Sequence, residues 1–324
     1  MKVHFSCPIC GADRWEPLAK RRYKRSDAVG TNTPYLSTRL RILFELWLPG
    51  RCDVSLTVQG CRECGFVCYS PRPEVADTEA KYRFLSGIEK IGSGDIPADS
   101  TYELRRAGRL FRCVDRMYPI TLGLKVLDYG GGDGRLLRYI ADRGAQCFIV
   151  DYNDSPCPWV TRLGATVQDM SCNDARFDLV ILSHVLEHVA DPVSLLKSLG
   201  KMLAPEGMLY CEVPMELWRR LPQLDEPVTH LNFFTPGSLA STMRTAGYRV
   251  LKWSCQEYWA TPPNHLGLAL QCFCRSSETL PEGHPRSDLD EWLRPSICKR
   301  AAIRWMTSLN KIIRSLQDDL ESTK

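Results

Sequence analysis

The chain has 324 residues, 44% of them hydrophobic and 25% charged, with a formal net charge of +4. At about 150 residues per domain this length suggests two domains, and the composition is that of a globular protein, which excludes wholesale disorder. No apolar run approaches the roughly 20 residues of a membrane span, and the opening MKVHFSCPIC lacks the apolar stretch of a secretion signal, so a cytoplasmic protein is expected.

Charge is unevenly placed. Residues 1–70 carry 11 Lys/Arg against 6 Asp/Glu, and Lys20, Arg21, Arg22, Lys24 and Arg25 form a run around Tyr23. Such a run is either a solvated face or an attractor of anionic partners. There are 15 cysteines. An odd number cannot pair completely within one chain, and without a secretion signal metal binding is favoured over a disulfide framework.

Two near-identical knuckles open the chain, Cys7-Pro8-Ile9-Cys10-Gly11 and Cys61-Arg62-Glu63-Cys64-Gly65. A C-x-x-C turn directs two thiolates at one point, and the glycine after it permits a positive φ. Two such turns supply the four sulfurs of a closed tetrahedral zinc site. A structural Zn2+ on Cys7, Cys10, Cys61 and Cys64 is therefore expected, bracing a subdomain over residues 1–70. Such a stretch builds little core of its own. Cys52 and Cys68 stand outside the knuckles. The spacer between them reads as irregular.

Residues 71–120 open with Pro71-Arg72-Pro73 and then read as helical, interrupted near residues 92–97. From 121 to 275, short apolar runs alternate with helical stretches: LKVLDY, QCFIVD, ATVQD, FDLVILS and GMLYCEV, with YRVLKW and LGLALQCFC to follow. This is the pattern of a parallel α/β sheet. Residues 276–324 form a polar linker and a helix whose Trp305, Leu309, Ile312, Leu316 and Leu320 make an apolar stripe. The stripe suits packing on the chain itself, a homodimer or a membrane surface.

The densest signal is Asp128-Tyr129-Gly130-Gly131-Gly132-Asp133-Gly134. A buried strand ends in an acid, and glycines turn the chain into a helix where a ligand can lie against bare backbone. The next strand ends in Asp151, placed to accept hydrogen bonds from ribose hydroxyls. A dinucleotide fingerprint needs a glycine three positions after the second, and Arg135 stands there instead.

This D-x-G-x-G-x-G loop and the second acid resemble those of class I S-adenosylmethionine-dependent methyltransferases. So do Phe177-Asp178-Leu179-Val180, Leu186-Glu187-His188-Val189 and Leu203-Ala204-Pro205-Glu206-Gly207. The resemblance implies a Rossmann-like α/β fold with S-adenosylmethionine as cofactor. It implies that Gly130, Gly132 and Gly134 line the methionine side and that Asp128 holds polar groups through the loop. Asp151 would then grip the ribose and Asp169 would meet the adenine amine.

Methyl transfer to a hydroxyl needs alignment and a base. Among six histidines, His184, His188 and His230 follow the fourth and fifth strands; His4, His265 and His284 do not. Thr229-His230-Leu231-Asn232-Phe233-Phe234-Thr235 is similar to the H-E-H-L-x-Y-F-S stretch of zinc-containing sugar C-methyltransferases, where the second histidine is a base. Here Val228, Thr229 and Phe233 depart from that pattern, and the long additional domain of that family is missing, so O-methylation is expected. C-P-x-C-G, C-x-x-C-G-F-V, P-R-P, L-E-H-V and H-x-N-F-F-T also resemble shorter zinc-knuckle methyltransferases of bacterial surface-glycan and natural-product pathways. The resemblance thus implies a sugar, glycan-precursor or natural-product hydroxyl as acceptor, with His230 as base and His188 in reserve. His188 could instead orient a loop. The alternatives are a sugar C-methyltransferase and a zinc-knuckle RNA methyltransferase or nucleic-acid-binding protein. The basic run suits the nucleic-acid reading, but the sequence pI of 8.3 and the absence of an N/D-P-P-Y loop after the fourth strand do not.

Overall fold

The computed structural model describes residues 4–30, 34–92, 100–169, 176–218, 228–260, 265–277 and 287–293. The expected C-terminal helix and its stripe, Trp305 to Leu320, lie outside the described residues, as does His284.

Eleven strands are described: β1 (Trp15–Lys24), β2 (Asp53–Cys61), β3 (Val67–Ser70), β4 (Lys125–Tyr129), β5 (Gln146–Val150), β6 (Thr161–Gly164), β7 (Phe177–Ser183), β8 (Leu203–Pro214), β9 (Asn232–Phe233), β10 (Tyr248–Ala260) and β11 (His265–Ser276). The α-helices are α1 (Asp27–Gly30), α2 (Pro34–Arg41), α3 (Val75–Gly92), α4 (Thr101–Met117), α5 (Arg138–Ala141), α6 (Pro192–Gly200), α7 (Pro236–Thr245) and α8 (Leu289–Leu293).

Seven strands form one sheet in the order β10-β11-β8-β7-β4-β5-β6. The β4, β5, β6, β7 and β8 pairings are parallel, and β11 is antiparallel to both β8 and β10. Alternation along the strands builds two cores. Val180 and Leu182 of β7 join Leu209, Cys211 and Val213 of β8 in one, with Leu196 and Leu199 of α6 and Leu239 and Met243 of α7. Leu179 and Ile181 join Val126, Ile149, Met208 and Tyr210 on the other face, against Leu110 and Val114 of α4 and Ile140 of α5. Helices therefore cover both faces. This explains why the strands read as continuous apolar runs, and the expected α/β architecture stands.

The third strand differs from expectation. It is β6 at Thr161–Gly164, ahead of the expected ATVQD at 165–169. Asp169 explains the shift: its carboxylate accepts from the Thr166 N–H at 2.9 Å and the Thr166 hydroxyl at 2.8 Å, closing a turn that an extended strand does not make.

Residues 1–70 are also more regular than expected. β1, β2 and β3 form an antiparallel sheet that β9 completes, Val67 pairing with Phe233 and Cys68 with Asn232. Tyr23, Leu56, Val58, Val67 and Tyr69 pack there against Leu40 and the π-helical turn Ile42–Trp47. Through β9, a segment that follows β8 in the chain completes the sheet of the knuckle region, while the seven-stranded sheet remains separate.

Helix starts follow local chemistry. Pro192 begins α6 behind Asp191, whose carboxylate accepts from the Ser194 N–H at 2.9 Å. Pro236 begins α7 behind Thr235, which exchanges capping bonds with Ser238. No helix among the described residues is long and apolar enough to cross a membrane.

Candidate active site

The two knuckles come together as near-copies. The Gly11 N–H donates to the Cys7 carbonyl at 2.8 Å and the Gly65 N–H to the Cys61 carbonyl at 2.9 Å. Both glycines adopt φ of 75°. The sulfurs of Cys7 and Cys64 lie 3.6 Å apart, as do those of Cys10 and Cys61, and all four fall within 4.8 Å of one another. Bonds of about 2.3 Å in a zinc tetrahedron separate sulfurs by about 3.8 Å, so this donor set fits a zinc ion. Cys52 is exposed and Cys68 buried, and neither joins the cluster.

At the carboxyl ends of the large sheet, strand order reverses between β4 and β7, where α/β proteins form their ligand crevice. Gly130, Gly132 and Gly134 all have positive φ, at 74°, 61° and 84°. A Cβ on Gly130 would meet Val185 at 2.6 Å and one on Gly134 would meet Val160 at 2.5 Å, whereas one on Gly132 meets nothing within 4 Å. Gly130 and Gly132 line a cavity of about 460 Å³; Gly134 backs onto Val160 and is not in its wall. Asp151 lines the cavity and accepts from the backbone N–H groups of Gly132 at 2.9 Å and Asn153 at 2.8 Å. Asp128 lies beneath the loop, 1% exposed, with no hydrogen bond to Oδ2. Burial pushes its carboxyl up to about 8, and the charge of Asp151 adds to that.

The cavity runs from this loop past Asp151 to Ala165–Gln168 on one side, and to His184, Val185 and His188 on the other. Asp169 stands just beyond the wall, its carboxylate on Thr166. Helix α3 covers the cavity with Thr78, Glu79, Tyr82 and Leu85. Tyr82 stacks on Tyr152 at 5.7 Å and meets His188 edge-on at 6.4 Å.

His188 and His230 are brought together, ring centroids 4.8 Å apart. His188 Nδ1 lies 2.7 Å from the Thr229 carbonyl and His230 Nδ1 lies 3.0 Å from Glu216 Oε2. An acceptor at Nδ1 places the proton there and leaves each Nε2 with its lone pair. Burial, with help from His230 and Lys81, holds His188 well below the usual histidine range. Burial acts downward on His230 too, but the carboxylates of Glu216 and Glu187 together raise the group. His188 is in the cavity wall; His230 is beside it, its side chain 23% exposed. Glu187 is fully buried beneath them, and neither of its oxygens has a hydrogen bond. His184 Nδ1 stands 3.3 Å and His188 Nε2 3.7 Å from Glu187 Oε1.

Of the remaining histidines, His4 is exposed and outside the site; the side chain of His265 lies outside the described residues.

Two residues that sequence reasoning missed, Glu212 and Lys81, complete the surroundings together with His184, which the sequence placed after the fourth strand without a role. Glu212 ends the inner part of β8 at 1% exposure and receives both guanidinium nitrogens of Arg109, at 2.7 and 2.9 Å, and the Tyr210 hydroxyl at 2.9 Å. Against the opposing effect of burial, His184 and the Arg109 guanidinium hold its carboxyl well below the usual range. His184, at φ 58°, bridges Glu212 and Glu187. Burial acts downward on it, but the two carboxylates raise it to about 9. Lys81 of α3 is buried and donates to the carbonyls of Val228 at 2.6 Å and Thr229 at 3.1 Å, fixing the turn that carries His230. Glu212 had a legible signal, an acid at the carboxyl end of a buried strand, as at Asp128. Lys81 had none.

Comparison with known proteins agrees with this geometry. The family model of a methyltransferase domain matches residues 102–252. A ubiquinone biosynthesis O-methyltransferase of Haemophilus ducreyi is 33% identical over 104 residues, covering 27% of this chain and 44% of the relative. A protein of the same name from Aliivibrio fischeri is 32% identical over 147 residues, covering 41% and 55%. The chain spans about half the length of the curated relatives it matches. Among solved structures, the 1,6-didemethyltoxoflavin-N1-methyltransferase of Burkholderia thailandensis, with bound 1,6-didemethyltoxoflavin and S-adenosylhomocysteine, superposes with a TM-score of 0.50. It shares 18% identity and covers 69% of this chain and 96% of its own. The strand order, the glycine loop and these matches together show that residues 102–252 carry a methyltransferase domain of the Rossmann-like α/β fold.

Proposed function

We propose that this chain transfers the methyl group of S-adenosylmethionine to a hydroxyl of a small-molecule acceptor, with His230 as the general base. The carrying observation is the single cavity wall that joins the glycine loop and Asp151 at one end to His188 at the other. The cofactor lies along Gly130 and Gly132, with its ribose on Asp151 and its methyl aimed toward the histidines. The sulfonium supplies an activated methyl, so the chain aligns the acceptor oxygen and removes its proton. Glu216 on Nδ1 orients the His230 ring and stabilises its charged form, and His188 is the reserve base. The apolar and aromatic roof of Tyr82, Leu85 and Tyr152 suits a flat face on the acceptor.

The curated relatives, O-methyltransferases of ubiquinone biosynthesis, support O-methylation. The knuckle and H-x-N-F-F-T motifs support a sugar, glycan precursor or natural product. A zinc ion on Cys7, Cys10, Cys61 and Cys64 has a structural role in this reading, because all four positions are protein sulfur.

Methyl-labelled S-adenosylmethionine, incubated with the protein and with separate RNA, sugar-nucleotide and metabolite fractions, tests this. Label is expected in the sugar-nucleotide or metabolite fraction. Label in RNA alone would overturn the acceptor class.

A further inference from the structure

We infer that Glu187, His188 and His230 form a second metal site, which takes a divalent cation of the zinc class and presents it to the cavity. The three ligand atoms lie within 4.8 Å of one another. Two imidazoles and one carboxylate are the donor set of open catalytic sites for zinc and related first-row ions.

Two independent features point to an occupant. Glu187 is 0% exposed, and both of its oxygens lack hydrogen bonds. His184, shared with Glu212, meets this carboxylate only at Oε1, 3.3 Å from its Nδ1, and a buried carboxylate paired only in part is costly unless a further cation meets it. Both histidines also have the outer contacts of metal ligands. His188 Nδ1 is on a backbone carbonyl and His230 Nδ1 on the Glu216 carboxylate, so each offers Nε2. The cysteine cluster uses four sulfurs and is closed; this one has three ligands and a fourth position toward the cavity that His188 lines.

The inference rests on the cavity being the acceptor site. In the cation-loaded protein it changes His230 from proton acceptor to ligand. The acceptor oxygen binds the cation, its O–H bond breaks, and the proton passes to water at the cavity mouth.

Cobalt(II) titration of metal-stripped full-length protein tests the site. Cobalt on thiolates gives intense near-ultraviolet charge-transfer bands, whereas cobalt on nitrogen and oxygen gives only weak visible bands, so the two sites are counted separately. The wild type should bind a cobalt without thiolate bands, and Glu187→Gln and His230→Ala should each lose that equivalent. The thiolate band reports that a variant has folded. A wild type with no cobalt beyond the thiolate site, or variants that retain it, would overturn the inference. Calorimetry with S-adenosylmethionine on the same preparations separates the two readings. Cofactor binding without the second cobalt removes the cation site alone, and absent cofactor binding strikes the methyl-transfer reading itself.

Discussion

His188 and His230 meet edge to face with ring centroids 4.8 Å apart, and Lys81 fixes the turn that makes this meeting possible. One ring comes from the segment after β7 and the other from the segment before β9. Thr229 links them, since its carbonyl accepts from both His188 and Lys81.

His230→Ala should lower turnover by about 10²–10⁴-fold, the usual loss for a missing general base, while cofactor affinity stays near wild type. Steady-state kinetics alongside calorimetry checks this. Should His188→Ala abolish turnover and His230→Ala leave it intact, the two roles must be exchanged.

Cys61→Ser should cost the protein its knuckle metal and also part of its activity. Cys61 is the last residue of β2, β2 pairs with β3, and β3 pairs with β9 two residues beyond His230. Metal analysis should show the loss, and hydrogen exchange should show weaker protection at Val67–Ser70 and at Asn232–Phe233. Unchanged exchange at β9 would separate the knuckles from the active site.

Asp128→Asn should alter stability in a pH-dependent way. With its carboxyl at about 8 in the folded chain, the folded state keeps a proton that the unfolded state has already lost above the ordinary carboxylate range. Wild-type stability from this group therefore falls as pH rises from about 4 to about 8, after which the full penalty is present. The Asn variant has no such group. Its melting temperature should match the wild type near pH 4 and exceed it progressively up to pH 8. A difference that is flat with pH would contradict an elevated Asp128.

Arg109→Met should destabilise the fold by about 3–5 kcal/mol, because it leaves a buried carboxylate without its two-pronged guanidinium partner. Glu212 is 1% exposed and takes both guanidinium nitrogens. Adding Glu212→Gln to Arg109→Met should recover much of the loss in a urea melt. An exposed, screened pair would show neither effect.

Much of this was readable before the structure because strands buried on both faces leave unbroken apolar runs, as in FDLVILS, and because glycine and acid spacing is local. The third strand was misplaced because β6 is a short edge strand without full burial, while the more apolar start of ATVQD curls onto Asp169. The sheet inside the knuckle spacer escaped notice, although Val54, Leu56 and Val58 alternate at strand spacing. Contacts such as Arg109 with Glu212, Lys81 with Thr229 and β3 with β9 join residues far apart in the chain. No sequence pattern announces them, since tertiary packing alone decides which polar groups meet.

Calorimetric titration of wild type and Asp151→Ala with S-adenosylmethionine shows whether the cavity between the glycine loop and His188 holds this cofactor. Asp151 is placed to offer charge-assisted hydrogen bonds worth roughly 1.5–3 kcal/mol, about one to two decades in affinity. The wild type should bind one cofactor per chain with micromolar-scale affinity, and the variant should show a loss of that size. Absence of binding, or equal affinity in the two proteins, would contradict the cavity's assignment to this cofactor.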